Sequence, residues 1–174
     1  MLEKNNKYNL LKIFFYFPLE EFRLRELSRL SKISPPSVMN YLKEFESQHL
    51  IKKYYKREIP FYISERDNQQ FKEYKKISIL YELNKSGLID FLWDKLSPAV
   101  IILYGSFSKG ESIDNSDIDL FILGKEKKLD LTDFEKKLGR EIHILSEEDL
   151  NKIPKELKNN LINGIVLKGY LKLF

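Results

Sequence analysis

The sequence predicts an α+β chain of two modules, a small helical head closed by a strand pair and then a small mixed-sheet domain. Three observations predict it. Apolar residues recur at helical spacing before residue 48, and two short strand-like runs follow, Leu50 to Tyr55 and Ile59 to Ile63. Further on, an apolar run from Val100 leads into Gly105-Ser106, and Asp117-x-Asp119 leads into a second run, Leu120 to Leu123, as buried strands around a turn do. Charge is also divided unevenly. Residues 1–66 hold 13 Lys/Arg against 8 Asp/Glu, a net of +5, and residues 67–174 hold 17 against 18, a net of −1. We therefore expect a first module over 1–66, a connector helix over 67–87 and a second module over 88–174.

In the first module, Asn9 to Phe17 is an apolar helical run closed by Pro18. Leu24, Leu27 and Leu30 recur at helical spacing within Arg23 to Ser31, and Lys32-Ile33-Ser34 breaks the pattern. Ser34 suits an N-cap, and Pro35 sits where proline is tolerated at a helix start. The third helix runs to about Gln48, with Val38, Leu42 and Phe45 on one face and Ser37, Asn40, Lys43, Glu44 and Ser47 on the other. Lys56-Arg57-Glu58 joins the two strand runs, and Tyr54, Tyr55 and Tyr62 read as packing within that hairpin.

Three helices followed by a basic hairpin resemble the winged helix-turn-helix DNA-binding family, across roughly residues 8–64. The resemblance implies a third helix in the major groove and a wing on the backbone. Ser37, Asn40 and Lys43 would then face base edges, and Lys52, Lys53, Lys56 and Arg57 would neutralise phosphates. Glu44 on the same outer face counts against close docking. The competing use of such a module is dimer contact or domain packing.

The polar stretch Glu65 to Asn68 marks a boundary. Asp67 is the expected cap of a helix to about Leu83, with Phe71, Tyr74, Ile77 and Tyr81 on one face, a connector that packs or dimerises. Lys85-Ser86-Gly87 ends it. Leu88 to Leu96 reads as a helix, and Pro98 precedes the first strand of the second module. Leu131 to Leu138 is helical, and Arg140 to Leu145 reads as a strand. Ser146-Glu147-Glu148-Asp149 is expected to open a helix, its acidic residues favourable in a first turn. Pro154 to Asn163 is the last helix, and Gly164 to Phe174 ends the chain as a strand-like run.

The chemistry concentrates in VIILYGSFSKGESIDNSDIDLFIL, Val100 to Leu123. Two carboxylates two residues apart on a strand share a side, their roots roughly 6–7 Å apart, and can hold one or two divalent ions. Gly105 lets a phosphate approach the backbone. Ser106 starts a short helical turn whose free N–H groups favour an anion, Lys109 adds a charge, and Gly110 lets the turn stop. Asp114-Asn115-Ser116 are turn formers.

Gly-Ser, ten residues, then Asp-x-Asp resembles the signature of the DNA polymerase β nucleotidyltransferase superfamily, and the short Lys109-Gly110 turn resembles its minimal branch. The resemblance covers roughly Leu88 to Phe174. It implies Mg²⁺ held by Asp117 and Asp119, a nucleoside triphosphate (NTP) as substrate, and phosphate contacts from Gly105, Ser106 and Lys109. Family members usually add a third carboxylate from a later strand. The matching segment here is Arg140 to Leu145, where His143 stands in the expected place and Glu141 shares its strand face. Either is a candidate for the third catalytic position. A neutral His can serve as a base, but Mg²⁺ prefers oxygen ligands.

Composition removes other classes. There is no Cys, so disulfides, thiolate chemistry and cysteine-ligated zinc are excluded, and the two His are far apart in sequence. No apolar run reaches transmembrane length, and MLEKNNKYN lacks a signal-peptide pattern, so a soluble cytoplasmic protein without a membrane partner is expected. Two functions from different classes follow. One is a Mg²⁺-dependent enzyme moving a nucleoside monophosphate (NMP) from an NTP to a hydroxyl, coupled to DNA binding. The other is a DNA-binding regulator or antitoxin-type protein whose nucleotidyltransferase fold no longer transfers. The resemblance also implies a small helical partner protein as one companion. A homodimer is the other that we expect.

Overall fold

Asn5 starts the first helix, because its side-chain oxygen accepts a hydrogen bond from the Tyr8 amide at 3.1 Å. That helix, α1 (Asn6–Tyr16), ends where the Phe17 amide turns back to the Ile13 carbonyl, one residue before Pro18. The computed structural model describes residues 5–172, so residues 173 and 174 of the expected final strand-like run, and residues 1–4 of the first module, lie outside the described residues. The chain divides into two units between Lys75 and Lys76.

In the first unit α1 is followed by α2 (Leu24–Ser31) and α3 (Pro35–Ser47). Ser34 precedes α3 as expected, but its hydroxyl donates to the Ser37 hydroxyl at 2.9 Å and does not cap a backbone amide. Strands β1 (Ile51–Lys56) and β2 (Ile59–Ser64) pair antiparallel with Lys56 opposite Ile59, which leaves Arg57-Glu58 as a two-residue loop. Both loop residues have positive φ, 48° and 67°, the backbone that a tight hairpin requires and that glycine or asparagine usually supplies. Phe22 adds an isolated bridge to Tyr62 through two 2.9 Å backbone hydrogen bonds. The core gathers Leu10, Phe14, Leu27, Val38, Leu42, Phe45, Leu50 and Ile51, and Phe71 belongs to it. Phe71 lies near the start of α4 (Gln69–Ser86), fully buried, its ring edge-on to Phe15 at 5.1 Å.

Two expectations for α4 need correction. Its first turn is capped by Asn68, whose side chain accepts from the Phe71 amide at 3.1 Å, not by Asp67. Its buried residues are Phe71, Lys75, Ser78 and Leu83, and Ile77 is 60% exposed. The i, i+4, i+7 row holds a lysine and a serine, so the apolar spacing of Phe71, Tyr74, Ile77 and Tyr81 marked the wrong stripe.

The second unit contains α5 (Leu88–Leu96), β3 (Val100–Tyr104), α6 (Gly105–Lys109), β4 (Ile118–Leu123), α7 (Thr132–Leu138), β5 (Ile142–Glu147), α8 (Lys155–Ile162) and β6 (Ile165–Gly169). The four strands form one mixed sheet in the order β5-β4-β3-β6, with β4 and β5 parallel and the other pairs antiparallel. Alternation sorts the side chains onto two faces. Ile101, Leu103, Ile118, Leu120, Ile122 and Ile142 join Leu88, Leu92 and Leu138 in one core, and Val100, Ile102 and Phe121 join Ile153 and Leu161 in the other. The helix expected from Ser146 does not form. Ser146 and Glu147 continue β5 because their ladder to Ile122 and Leu123 is unbroken, and Asp149 caps only a three-residue turn, Leu150–Lys152. No helix among the described residues is long and apolar enough to cross a membrane.

Candidate functional site

Sheet register sets the site. Tyr104, the last residue of β3, lies opposite Asp119 on β4, and Asp119 lies beside His143 on β5. Residues opposite one another in a sheet point to the same face, so Tyr104, Asp119 and His143 form a row across three strands. Asp117 stands just before β4, two residues from Asp119. The Ile118 amide donates to the Glu141 carbonyl at 2.9 Å, which holds Glu141 beside Asp117. Asp117, Glu141 and His143 each bring a ligand atom within 4.8 Å of the others. His143 Nδ1 is 3.8 Å from an Asp117 oxygen and 4.0 Å from an Asp119 oxygen. Asp117 and Asp119 are half-buried, and Glu141 and His143 are exposed.

Gly105 is required here for a reason beyond phosphate approach. Its φ is +70°, and a Cβ there would lie 2.4 Å from an Asp119 carboxylate oxygen. The glycine therefore leaves the volume that the Asp119 carboxylate needs. Ser106 is half-buried and Lys109 exposed at the two ends of α6, and Gly110 closes that turn with φ 74°. The Ser108 hydroxyl donates to the Gly105 carbonyl at 2.8 Å, fixing the turn from inside.

Burial raises the Asp119 carboxyl above the ordinary range; His143 pulls it back, and Asp117 raises it further. Burial also raises the Tyr104 hydroxyl, with Asp119 adding to the rise. The group is oxygen-rich with one nitrogen, and a glycine makes room for its Asp119 carboxylate. That donor set fits a divalent cation. Two residues escaped sequence reasoning. Tyr104 was hidden because only the β3–β4 register places it by Asp119. Glu135 on α7 accepts a hydrogen bond from the Ile142 amide at 3.1 Å, pinning the start of the strand that carries His143. Nothing in local spacing marks a contact seven residues away across a turn.

The first-unit residues are spread along α3 and the hairpin rather than gathered into a cluster. Asn40 and Lys43 are exposed, and Ser37 is half-buried against Ser34. Glu44 is paired with Lys7, so its charge on the outer face is offset. Lys52 and Arg57 are exposed, Lys53 lies over the Tyr55 ring at 5.2 Å, and Lys56 is bound to Glu21. Tyr62 is buried and Tyr54 stacks on Phe61 at 6.0 Å, whereas Tyr55 is 62% exposed and does not pack as expected.

Compared with known families, residues 86–171 match the model described as polymerase beta, nucleotidyltransferase. The matched stretch lies within the second unit, which is thus similar to a nucleotidyltransferase domain of that kind. No curated protein and no solved structure matched the chain.

Proposed function

We propose that the chain is a divalent-metal-dependent nucleotidyltransferase that moves an NMP from an NTP to a hydroxyl, and that its first unit binds DNA. The observation that carries the reading is the row of Asp119 and His143 with Asp117 and Glu141, set against the Gly105 turn. Asp117 and Asp119 would hold Mg²⁺, which would supply positive charge against the charge that develops in transfer. The backbone at Gly105 and Ser106 receives phosphate oxygens, and Lys109 adds a positive charge at their rim. The acceptor oxygen forms a bond to the α-phosphorus, the bond to the bridging oxygen breaks, and pyrophosphate leaves with that electron pair. The hydroxyl proton passes to Glu141 or His143, the exposed groups of the cluster. DNA binding is supported by three helices ahead of a hairpin and by the +5 charge of residues 1–66.

The test is to incubate the full chain with α-labelled NTPs, Mg²⁺ and cell lysate and to trace the label. Transfer that disappears in Asp117→Asn is the expected result. The second reading, a DNA-binding regulator with a lapsed site, draws on His143 standing where a carboxylate is expected. Absence of both NTP binding and label transfer, with DNA binding intact, would favour it.

A further inference from the structure

His143 Nδ1 stands between two carboxylates and short of both, at 3.8 Å from Asp117 and 4.0 Å from Asp119. A hydrogen bond from an imidazolium needs about 2.7–3.2 Å, so neither contact is one. Two atoms ligating one ion at about 2.0–2.2 Å lie at most about 4.4 Å apart, so both separations suit a shared cation. Glu141 brings a carboxylate oxygen within 4.8 Å of the Asp117 and His143 ligand atoms. Parallel pairing with β4 sets His143 beside Asp119, so the imidazole faces the carboxylates through sheet register rather than through a loop.

From this we infer that His143 Nδ1 is a metal ligand, and that the centre takes a borderline transition dication of the zinc or cobalt kind in preference to Mg²⁺. The inference rests on the nucleotidyltransferase reading for the site, and it assigns the cation of that site. Mg²⁺ demands oxygen donors in near-ideal octahedral geometry and gains little from an imidazole. Zn²⁺ and Co²⁺ bind imidazole and carboxylate together, and both stand above Mn²⁺ in the usual order of affinity. A mixed set of one nitrogen with the Asp117 and Asp119 carboxylates therefore selects against the cation that an all-carboxylate site would hold. It also leaves Glu141, the longer and exposed carboxylate, as the proton acceptor.

The experiment uses the untagged full chain, stripped of metal and titrated with Co²⁺ and with Mg²⁺. Calorimetry gives the affinities, and proton NMR reports contact-shifted imidazole N–H signals. The chain has only two histidines, His49 and His143, so one substitution assigns the signal. His143 is exposed, so His143→Ala retains the fold, which circular dichroism checks. The expected result is a shifted N–H signal in the wild type that His143→Ala removes. With it Co²⁺ affinity falls about tenfold or more, while Mg²⁺ affinity stays within about threefold. His143→Asp should move preference toward Mg²⁺. A His143→Ala variant that keeps the signal, or that loses both ions equally, overturns the inference. If Mg²⁺-supported label transfer persists alongside that result, the nucleotidyltransferase reading stands without it. If neither ion binds the wild type, even with a non-hydrolysable NTP analogue, both fall.

Discussion

The first unit sets its cations out along a surface hairpin, separated and solvated, with Lys56 already paired with Glu21. The second gathers three carboxylates and a histidine at one end of a sheet, two of them half-buried. The first arrangement costs the fold little, since exposed pairs contribute about 0–1 kcal/mol. It suits a diffuse, salt-sensitive partner. The second is unfavourable on its own, because burial and a neighbouring carboxylate both oppose the Asp119 charge. A cluster that opposes its own ionisation is relieved by a bound cation, whereas a scattered set needs no particular ligand. Charge placement, more than charge count, separates a reaction site from a docking surface.

The strongest way to break this contrast is Asp119→Asn. We expect label transfer to fall about 10²–10³-fold, while the metal-free protein becomes more heat-stable. The sign follows from linkage. A raised carboxyl binds its proton more tightly when folded, so ionised Asp119 removes stability as pH rises through and above the ordinary carboxylate range. The Asn variant should lose that pH dependence in thermal scans without metal. Unchanged melting would mean that the cluster is not under charge strain.

Next in size is the hairpin. Changing both Lys52 and Arg57 to Ala should weaken duplex binding by roughly an order of magnitude and flatten the salt slope by about 2 units. Lys56→Ala should do less, because Lys56 is already bound to Glu21. Equal effects from all three cations, measured by fluorescence anisotropy across salt concentrations, would show that the Glu21 pair opens on binding.

Smaller again is Glu135→Ala, which removes the acceptor for the Ile142 amide and should cost about 0.5–1.5 kcal/mol in denaturant melts. Glu135→Gln keeps an acceptor and should restore most of it. The smallest effect belongs to Glu21. Its carboxyl is lowered chiefly by the hydrogen bond from Lys56. The contribution is present above the ordinary Glu range and is lost as pH falls through the lowered value. Glu21→Gln should therefore lower stability slightly at neutral pH, leave it unchanged below the lowered value, and so flatten the acid limb of a pH–stability curve.

Much of the second unit was legible because its signals are local. The apolar strands, the Gly105-Ser106 turn and the Asp117-x-Asp119 spacing each fit within a few residues. The relation between Gly105 and Asp119 was not legible, since it depends on a strand pairing across fourteen intervening positions. At Ser146 to Asp149 a good local helix-start signal lost to a parallel ladder already running along β4. In α4 the tyrosines that suggested a face tolerate water at their hydroxyl ends, so their spacing carried little information about burial.

Phe71 has a practical consequence for anyone dividing the protein. A fragment ending at residue 66 stops inside the polar stretch, where the charge count changes, yet it leaves behind a ring that is 1% exposed and belongs to the first core. Losing a buried Phe side chain costs about 3–5 kcal/mol, against a total margin of about 5–15 kcal/mol for a small domain. Such a fragment would present an open benzyl-sized hole beside Phe15. Its failure to hold DNA would then report a melted scaffold and not a missing contact. Cutting after Lys75 keeps the plug in place.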